Sequence, residues 1–218
     1  MITVLFDLDG TIIDSFEGIT KCVQYALNSH GVEVESLDEL RDYIGPPLKY
    51  SFQKHYGFDD ETTDDLIGKY RERFDETGIF ENELYPGVED ALRELKNRGY
   101  RIALASSKPE DACRRILDQH GLLDYFDEVV GASLDGRIST KESVLLEVIR
   151  RMELSGPKEA VLIGDTVFDV EGARQVGMDC IAVTYGFGSR NDLEQAGAAC
   201  ICEDLEEVVR EIEGYKAV

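Results

Sequence analysis

The sequence predicts an α/β fold, a parallel sheet covered by helices on both faces, with a small helical domain inserted near the N-terminus. Three observations lead there. The chain opens with ITVLFD, a short apolar run of the kind that forms a fully buried strand. From about residue 86, similar runs alternate with stretches of helical apolar spacing. Residues 16–85 carry helical patterns and no strand candidate.

Each element has a local reason. In 88–96 apolar residues recur at helical spacing, and Asn97-Arg98-Gly99 is a stop signal. Residues 100–105 form a short apolar strand. Helices are then expected over 109–119, 141–153, 169–176, 190–196 and 204–213, with FDEVVGA, AVLIGD, CIAVTYG and AACIC as the strands between them. In the insertion, Ile19, Val23, Ala26 and Leu27 share one helical face, and Leu66, Tyr70 and Phe74 share another. Ser36 and Glu39 have capping-box spacing before LRDYI. The expected organisation is an α/β core of residues 1–15 and 86–218 interrupted by a helical domain of residues 16–85.

Length and composition narrow the function. A chain of 218 residues suffices for one core with a modest insertion. Acidic residues number 45 and basic ones 23, so the net charge of −22 repels nucleic acid and anionic membrane; neither is expected as a partner. An anionic substrate would need positive charge supplied locally. The five cysteines (22, 113, 180, 200 and 202) are odd in number and lack CxxC spacing, which reads as buried reduced thiols. Cys200 and Cys202 alternate as strand residues facing one side, which alone makes no metal site. The first apolar run is too short for a signal peptide and meets Asp7, and no run reaches membrane-spanning length. A cytoplasmic protein is expected.

In such sheets ligands bind beyond the carboxyl ends of the strands. There the sequence places Asp7, Asp9, Gly10 and Thr11 after the first strand, Ser106-Ser107-Lys108 after IALA, and Asp165 with Asp169 after AVLIG. Asp7 and Asp9, two apart at the end of a strand, share a face. Carboxylates crowded together raise one another's pKa unless a cation holds them ionised. Mg2+ suits an all-oxygen site of this kind. Ser139 and Glu142 have capping-box spacing, which puts Lys141 in the first turn of its helix. A cation there opposes the helix dipole by about 0.3–1 kcal/mol at an exposed position, so a nearby anion cluster explains it better.

Taken singly, each residue has a plainer reading. Asp-Gly after a strand is often a turn. Ser107, with Glu110 three residues on and Pro109 between, reads as a helix N-cap, which leaves Ser106 as the better phosphate ligand. Asp169 has the position of an N-cap for VEGARQVG, and Lys108 that of a solvated helix-start residue. His30 and His120 precede glycines at helix ends and read as structural; His55 lies in the insertion. Without a histidine base or a G-x-S-x-G motif, a serine hydrolase is disfavoured.

DLDGT after a strand, a strand-end serine, a lysine and GDxxxD, in that order along the whole chain, resemble the haloacid dehalogenase superfamily of phosphotransferases. IIDS, IGPPL, LYPGV and TYGFGS are similar to its branch of phosphoglycolate phosphatases, small pyrophosphatases and 5′-nucleotidases. The resemblance implies a Rossmann-like core with a helical cap inserted after the first motif and acting as a lid. It also implies a Mg2+-dependent phosphatase working through an aspartyl phosphate. Asp7 would be the nucleophile, and Asp9 the acid and base, offering its backbone carbonyl to the metal. Asp165 and Asp169 would complete the metal set, with Asp169 ligating directly or orienting. Ser106 and Lys141 would hold the phosphoryl oxygens, and Thr11, Ser107 and Lys49 would lie at the substrate. The substrate would be a small phosphorylated metabolite, phosphoglycolate first, with a nucleoside monophosphate or pyrophosphate as alternatives. A hexose-phosphate mutase is the rival within the superfamily. A dehalogenase would have no use for the acid at Asp9, and a phospho-receiver module would need no lid. The oligomeric expectation is a monomer or homodimer.

Overall fold

The computed structural model describes residues 2–133 and 135–215. In chain order its strands are β1 (Thr3–Phe6), β2 (Ile13–Asp14), β3 (Glu83–Leu84), β4 (Arg101–Pro109), β5 (Glu128–Ala132), β6 (Ala160–Gly164), β7 (Asp179–Val183) and β8 (Cys200–Cys202). The helices are α1 (Phe16–Ser29), α2 (Leu48–Tyr56), α3 (Asp60–Glu76), α4 (Val88–Asn97), α5 (Glu110–Gln119), α6 (Lys141–Arg151), α7 (Val167–Val176), α8 (Arg190–Ala196) and α9 (Leu205–Gly214).

Six strands form one sheet in the order β5-β4-β1-β6-β7-β8, and their pairings are parallel. The chain steps outward from β1 through β4 to β5, then crosses back to build β6, β7 and β8 on the other side. The order therefore reverses at β1, and the carboxyl end of β1 is the topological switch point, where a crevice opens in sheets of this kind. In register, Phe6 lies between Leu104 of β4 and Ile163 of β6. The apolar runs are buried because both faces are covered. Leu5, Ala103, Ala105, Val130 and Leu162 join Val144, Leu145 and Val148 of α6 and Val170 and Ala173 of α7 in one core. The alternate residues point the other way, toward the face where α4 and α5 pack on β4 and α9 packs on α4.

The chain divides into two compact units. One comprises residues through Ile13 and from Leu84 onward; the other is Asp14–Glu83. The expectation of no strand within residues 16–85 is corrected by β3, and the second unit is helical except at its two ends, where β2 and β3 lie. In it α1 packs on α3, and Ile19, Cys22, Val23, Ala26 and Leu27 meet a core that includes Leu66, Tyr70 and Phe74. The Ser36–Glu39 capping box is present, but it opens a 3-10 helix, Leu37–Tyr43. That helix ends just before Gly45-Pro46-Pro47, where a residue preceding proline is held out of helical conformation.

One expected boundary is corrected. The strand that was to stop near Ala105 runs to Pro109, with a register shift between Ala105 and Pro109, and α5 starts at Glu110 without a side-chain cap. Ser107 is thus a strand residue and no N-cap. The physical reason is Pro109, which forces Lys108 to stay extended. Among the described residues no helix is long and apolar enough to cross a membrane.

Leu162 is fully buried in the strand beside β1. Truncation by Leu162→Ala should cost about 2–5 kcal/mol, read as a lowered urea midpoint with an unchanged slope.

Candidate active site

The last ladder bond of the first strand runs from the Asp7 N–H to the Ile163 carbonyl, 2.9 Å. The chain then turns tightly. The Leu8 carbonyl accepts the N–H groups of Ile12 at 2.9 Å and Ile13 at 3.0 Å, and Gly10 donates to Ile13 at 2.8 Å. Gly10 has a φ of +85°, and a Cβ there would lie 2.1 Å from Asp165 Oδ2, so both the turn and the approach to Asp165 require glycine. The two aspartates are therefore not placed by strand alternation, as expected from their spacing. They sit on a loop and engage different cations: Asp7 Oδ1 accepts from Lys141 Nζ at 2.7 Å, and Asp9 Oδ1 from Lys108 Nζ at 3.0 Å.

Lys141 is the first residue of α6, as expected, although the cap is not the one its spacing suggested. The N-cap is Thr140, boxed with Ser143, because the Ser143 hydroxyl accepts the Thr140 N–H and Thr140 Oγ1 accepts the Ser143 N–H. From that position the buried ammonium meets three acceptors: Asp7 Oδ1 at 2.7 Å, Asp169 Oδ1 at 2.8 Å and the Ala105 carbonyl at 2.8 Å. Burial alone would depress its pKa, but the charges of Asp169 and Asp7 outweigh burial and raise it, so Lys141 stays charged.

Asp169 is the third residue of α7 and not its N-cap; that place belongs to Thr166. Asp169 Oδ2 accepts both the Thr166 N–H at 3.0 Å and the Thr166 hydroxyl at 2.8 Å. This reciprocal box fixes the carboxylate. Its Oδ1, also buried, faces the Lys141 ammonium at 2.8 Å. Asp165, fully buried, accepts from Thr11 Oγ1 at 3.1 Å through Oδ1 and from the Phe187 N–H at 2.8 Å through Oδ2.

One carboxylate oxygen each from Asp7, Asp165 and Asp169 lies within 4.8 Å of the others. Burial pushes the Asp7 carboxyl up to about 6; Lys141 opposes this, while Asp169 and Asp9 add to it. Burial likewise raises Asp165 well above its ordinary range, with Asp169 and Asp7 contributing. An oxygen-only donor set and buried carboxyls held above their usual pKa fit a small divalent cation. The Asp9 carboxylate stands outside this trio, on Lys108.

The remaining candidates fall as follows. Ser106 is buried at the same strand end, and its Oγ accepts the Lys108 N–H at 3.3 Å. Ser107 is half-buried beside it. Thr11 donates its hydroxyl to Asp165. Lys49 belongs to the helical unit, where it pairs with Asp60 at 2.8 Å and Asp64 at 3.5 Å. His30 and His120 are the C-caps of α1 and α5, and His55 stacks on Tyr43. Lys108 is corrected: its side chain is 7% exposed and not solvated. Its ion pair, the Thr166 cap and the Tyr185–Phe187 segment were not assigned from sequence. The pre-proline position of Lys108 was the available signal, since it keeps the lysine on the strand end.

Comparison with known proteins follows the same lines. Residues 4–183 match the profile of the haloacid dehalogenase-like hydrolases. A 5′-nucleotidase of Pseudomonas aeruginosa is 36% identical over 212 residues, covering 97% of this chain and 96% of that protein. Phosphoglycolate phosphatase 1 of the same organism is 28% identical, over 94% of this chain and 78% of its own length. The crystal structure of a predicted phosphatase from Clostridium acetobutylicum superposes with a TM-score of 0.95 at 44% identity, covering 99% of this chain and all of that one (100%). With the profile spanning most of the chain and the acidic strand ends in the order the motifs require, this protein belongs to the haloacid dehalogenase-like hydrolase family.

Proposed function

We propose that this protein is a Mg2+-dependent phosphatase that hydrolyses a small phosphorylated metabolite through an aspartyl phosphate on Asp7. The observation that carries the reading is the convergence of Asp7, Asp165 and Asp169 at the switch point, with Lys141 held between Asp7 and Asp169. Asp7, Asp165 and Asp169 would hold the ion, which when bound supplies charge neutralisation for the carboxylates and the phosphoryl oxygens.

In the first half-reaction an Asp7 carboxylate oxygen attacks phosphorus, and the bond from phosphorus to the ester oxygen breaks. Asp9 gives its proton to the departing oxygen, which leaves as an alcohol. In the second half-reaction the Asp9 carboxylate takes a proton from water as the water oxygen attacks phosphorus. The bond to Asp7 then breaks, releasing inorganic phosphate and returning Asp9 to its protonated form. Lys141 fixes the rotation of Asp7 and places its positive charge against the negative charge on the phosphoryl oxygens; Ser106 offers a hydroxyl there. Lys108 Nζ donates to Asp9 Oδ1 at 3.0 Å and so fixes the direction of that carboxyl group.

Residues 14–83 serve in this reading as the cap that selects the substrate. Lys49 would meet the substrate there by giving up its pairs with Asp60 and Asp64. The relative of higher identity is called a 5′-nucleotidase and the other a phosphoglycolate phosphatase, so nucleoside 5′-monophosphates and 2-phosphoglycolate are the first two substrate classes.

Asp7→Asn should lower phosphate release by at least about 10³-fold across a panel of such esters with Mg2+ present, since the nucleophile is gone. Full turnover in that variant would end the proposal.

The same group yields a stability test. In the metal-free protein Asp7 titrates near 6 against an ordinary 3.8, so between those values the folded state holds a proton that the unfolded chain has released. This contribution to stability is lost as pH rises from about 4 to 6, at a cost on the order of 3 kcal/mol. In EDTA at pH 7.5, Asp7→Asn should therefore melt a few degrees above the wild-type protein. Mg2+ should raise the wild-type melting temperature more at pH 7.5 than at pH 5, in scanning calorimetry.

A further inference from the structure

The segment Tyr185-Gly186-Phe187 follows β7, away in sequence from every residue of the proposed chemistry, yet it grips Asp165 twice. The Phe187 N–H donates directly to Asp165 Oδ2 at 2.8 Å. The second grip is indirect. The Tyr185 hydroxyl donates to the Thr11 carbonyl at 2.9 Å, and the Thr11 hydroxyl donates to Asp165 Oδ1 at 3.1 Å. Gly186 lets the segment lie this close: a Cβ there would sit 2.3 Å from the Gly10 carbonyl oxygen and 2.4 Å from Asp165 Oδ2. Burial keeps the Tyr185 phenol protonated and hence a donor, and its ring packs against Tyr85 with centroids 4.8 Å apart.

We propose that Tyr185 is a positioning residue for the metal site: through Thr11 it fixes the rotation of the Asp165 carboxylate and thereby the affinity of the Asp7, Asp165 and Asp169 cluster for a divalent cation. The inference rests on the function proposed above and extends it to a residue outside that machinery. A carboxylate with donors on both oxygens cannot swing, so its remaining lone pairs keep one direction. Releasing one donor lets it rotate, and the oxygen trio then loses its preorganisation. Partners standing behind metal ligands commonly govern affinity by about 10–100-fold.

Tyr185→Phe isolates this role, because it keeps the ring and its packing on Tyr85 and removes only the hydroxyl. Mn2+ affinity, measured directly by electron paramagnetic resonance titration of the free protein, should fall about 10–100-fold. With phosphate esters at saturating Mg2+, kcat should remain near wild type. Thr11→Val should weaken Mn2+ binding at least as much, and Thr11→Ser should restore it. The double variant Tyr185→Phe/Thr11→Val should bind no more weakly than Thr11→Val alone, since both act along one path. Wild-type affinity in Tyr185→Phe, or additive losses in the double variant, would overturn the inference. Asp165→Asn separates it from the reading beneath. If that variant loses Mn2+ binding while Tyr185→Phe retains it, only the role of Tyr185 falls. If Asp165→Asn binds as the wild type does, or the wild type binds no Mn2+, the metal-dependent function falls with it.

Discussion

Four carboxylates share the ends of two neighbouring strands with two ammonium groups, and the rest of the structure answers to that imbalance. Lys141 stands between Asp7 and Asp169, and Lys108 holds Asp9. Two buried cations do not neutralise four buried anions, and the pKa values of Asp7 and Asp165 are raised, chiefly by burial and further by the neighbouring carboxylates. A core built for stability alone would not keep such a cluster, since unpaired buried charge is costly. In the function proposed above, the cluster is a site that a divalent cation completes.

The sheet order explains why the cluster forms where it does. Because the strand order reverses at β1, the carboxyl ends of β1, β4 and β6 lie side by side, and each brings polar side chains there. Hydrogen bonds then fix each carboxylate individually. Thr166 and Asp169 cap each other at the start of α7, Thr11 and Phe187 hold the two oxygens of Asp165, and the loop around Gly10 turns where only glycine fits. Rigid attachment of this kind keeps mutually repelling groups within reach of one another, where flexible side chains would swing apart.

Much of this was legible beforehand. The buried apolar runs, the helical spacing between them and the helical insertion all follow from local periodicity, and the structure carries a parallel six-stranded sheet at those runs. Asp7, Asp165, Asp169 and Lys141 were recognisable because each stands at a strand or helix end in a recurring order. Ser107 had the spacing of a cap, but Pro109 kept the chain extended through it. Ser139 and Glu142 had box spacing as well, and Thr140 with Ser143 took the role. Asp169 took the third helical position and left the cap to Thr166. Several polar residues near a helix start compete for the same N–H groups, and spacing cannot rank them when they differ by one position.

The amino-acid sequence by itself determined the class of fold and the identity of the acidic residues, because periodicity, residue chemistry and charge count are local or additive properties. Only the tertiary structure decided which ammonium meets which carboxylate, that Lys108 is buried against Asp9, and that a tyrosine late in the chain reaches the first loop through Thr11. Those are pairings between residues distant in sequence. Their geometry depends on the crossing of the chain over β1 and on loop turns of a few residues, and no local pattern encodes a distance across a fold.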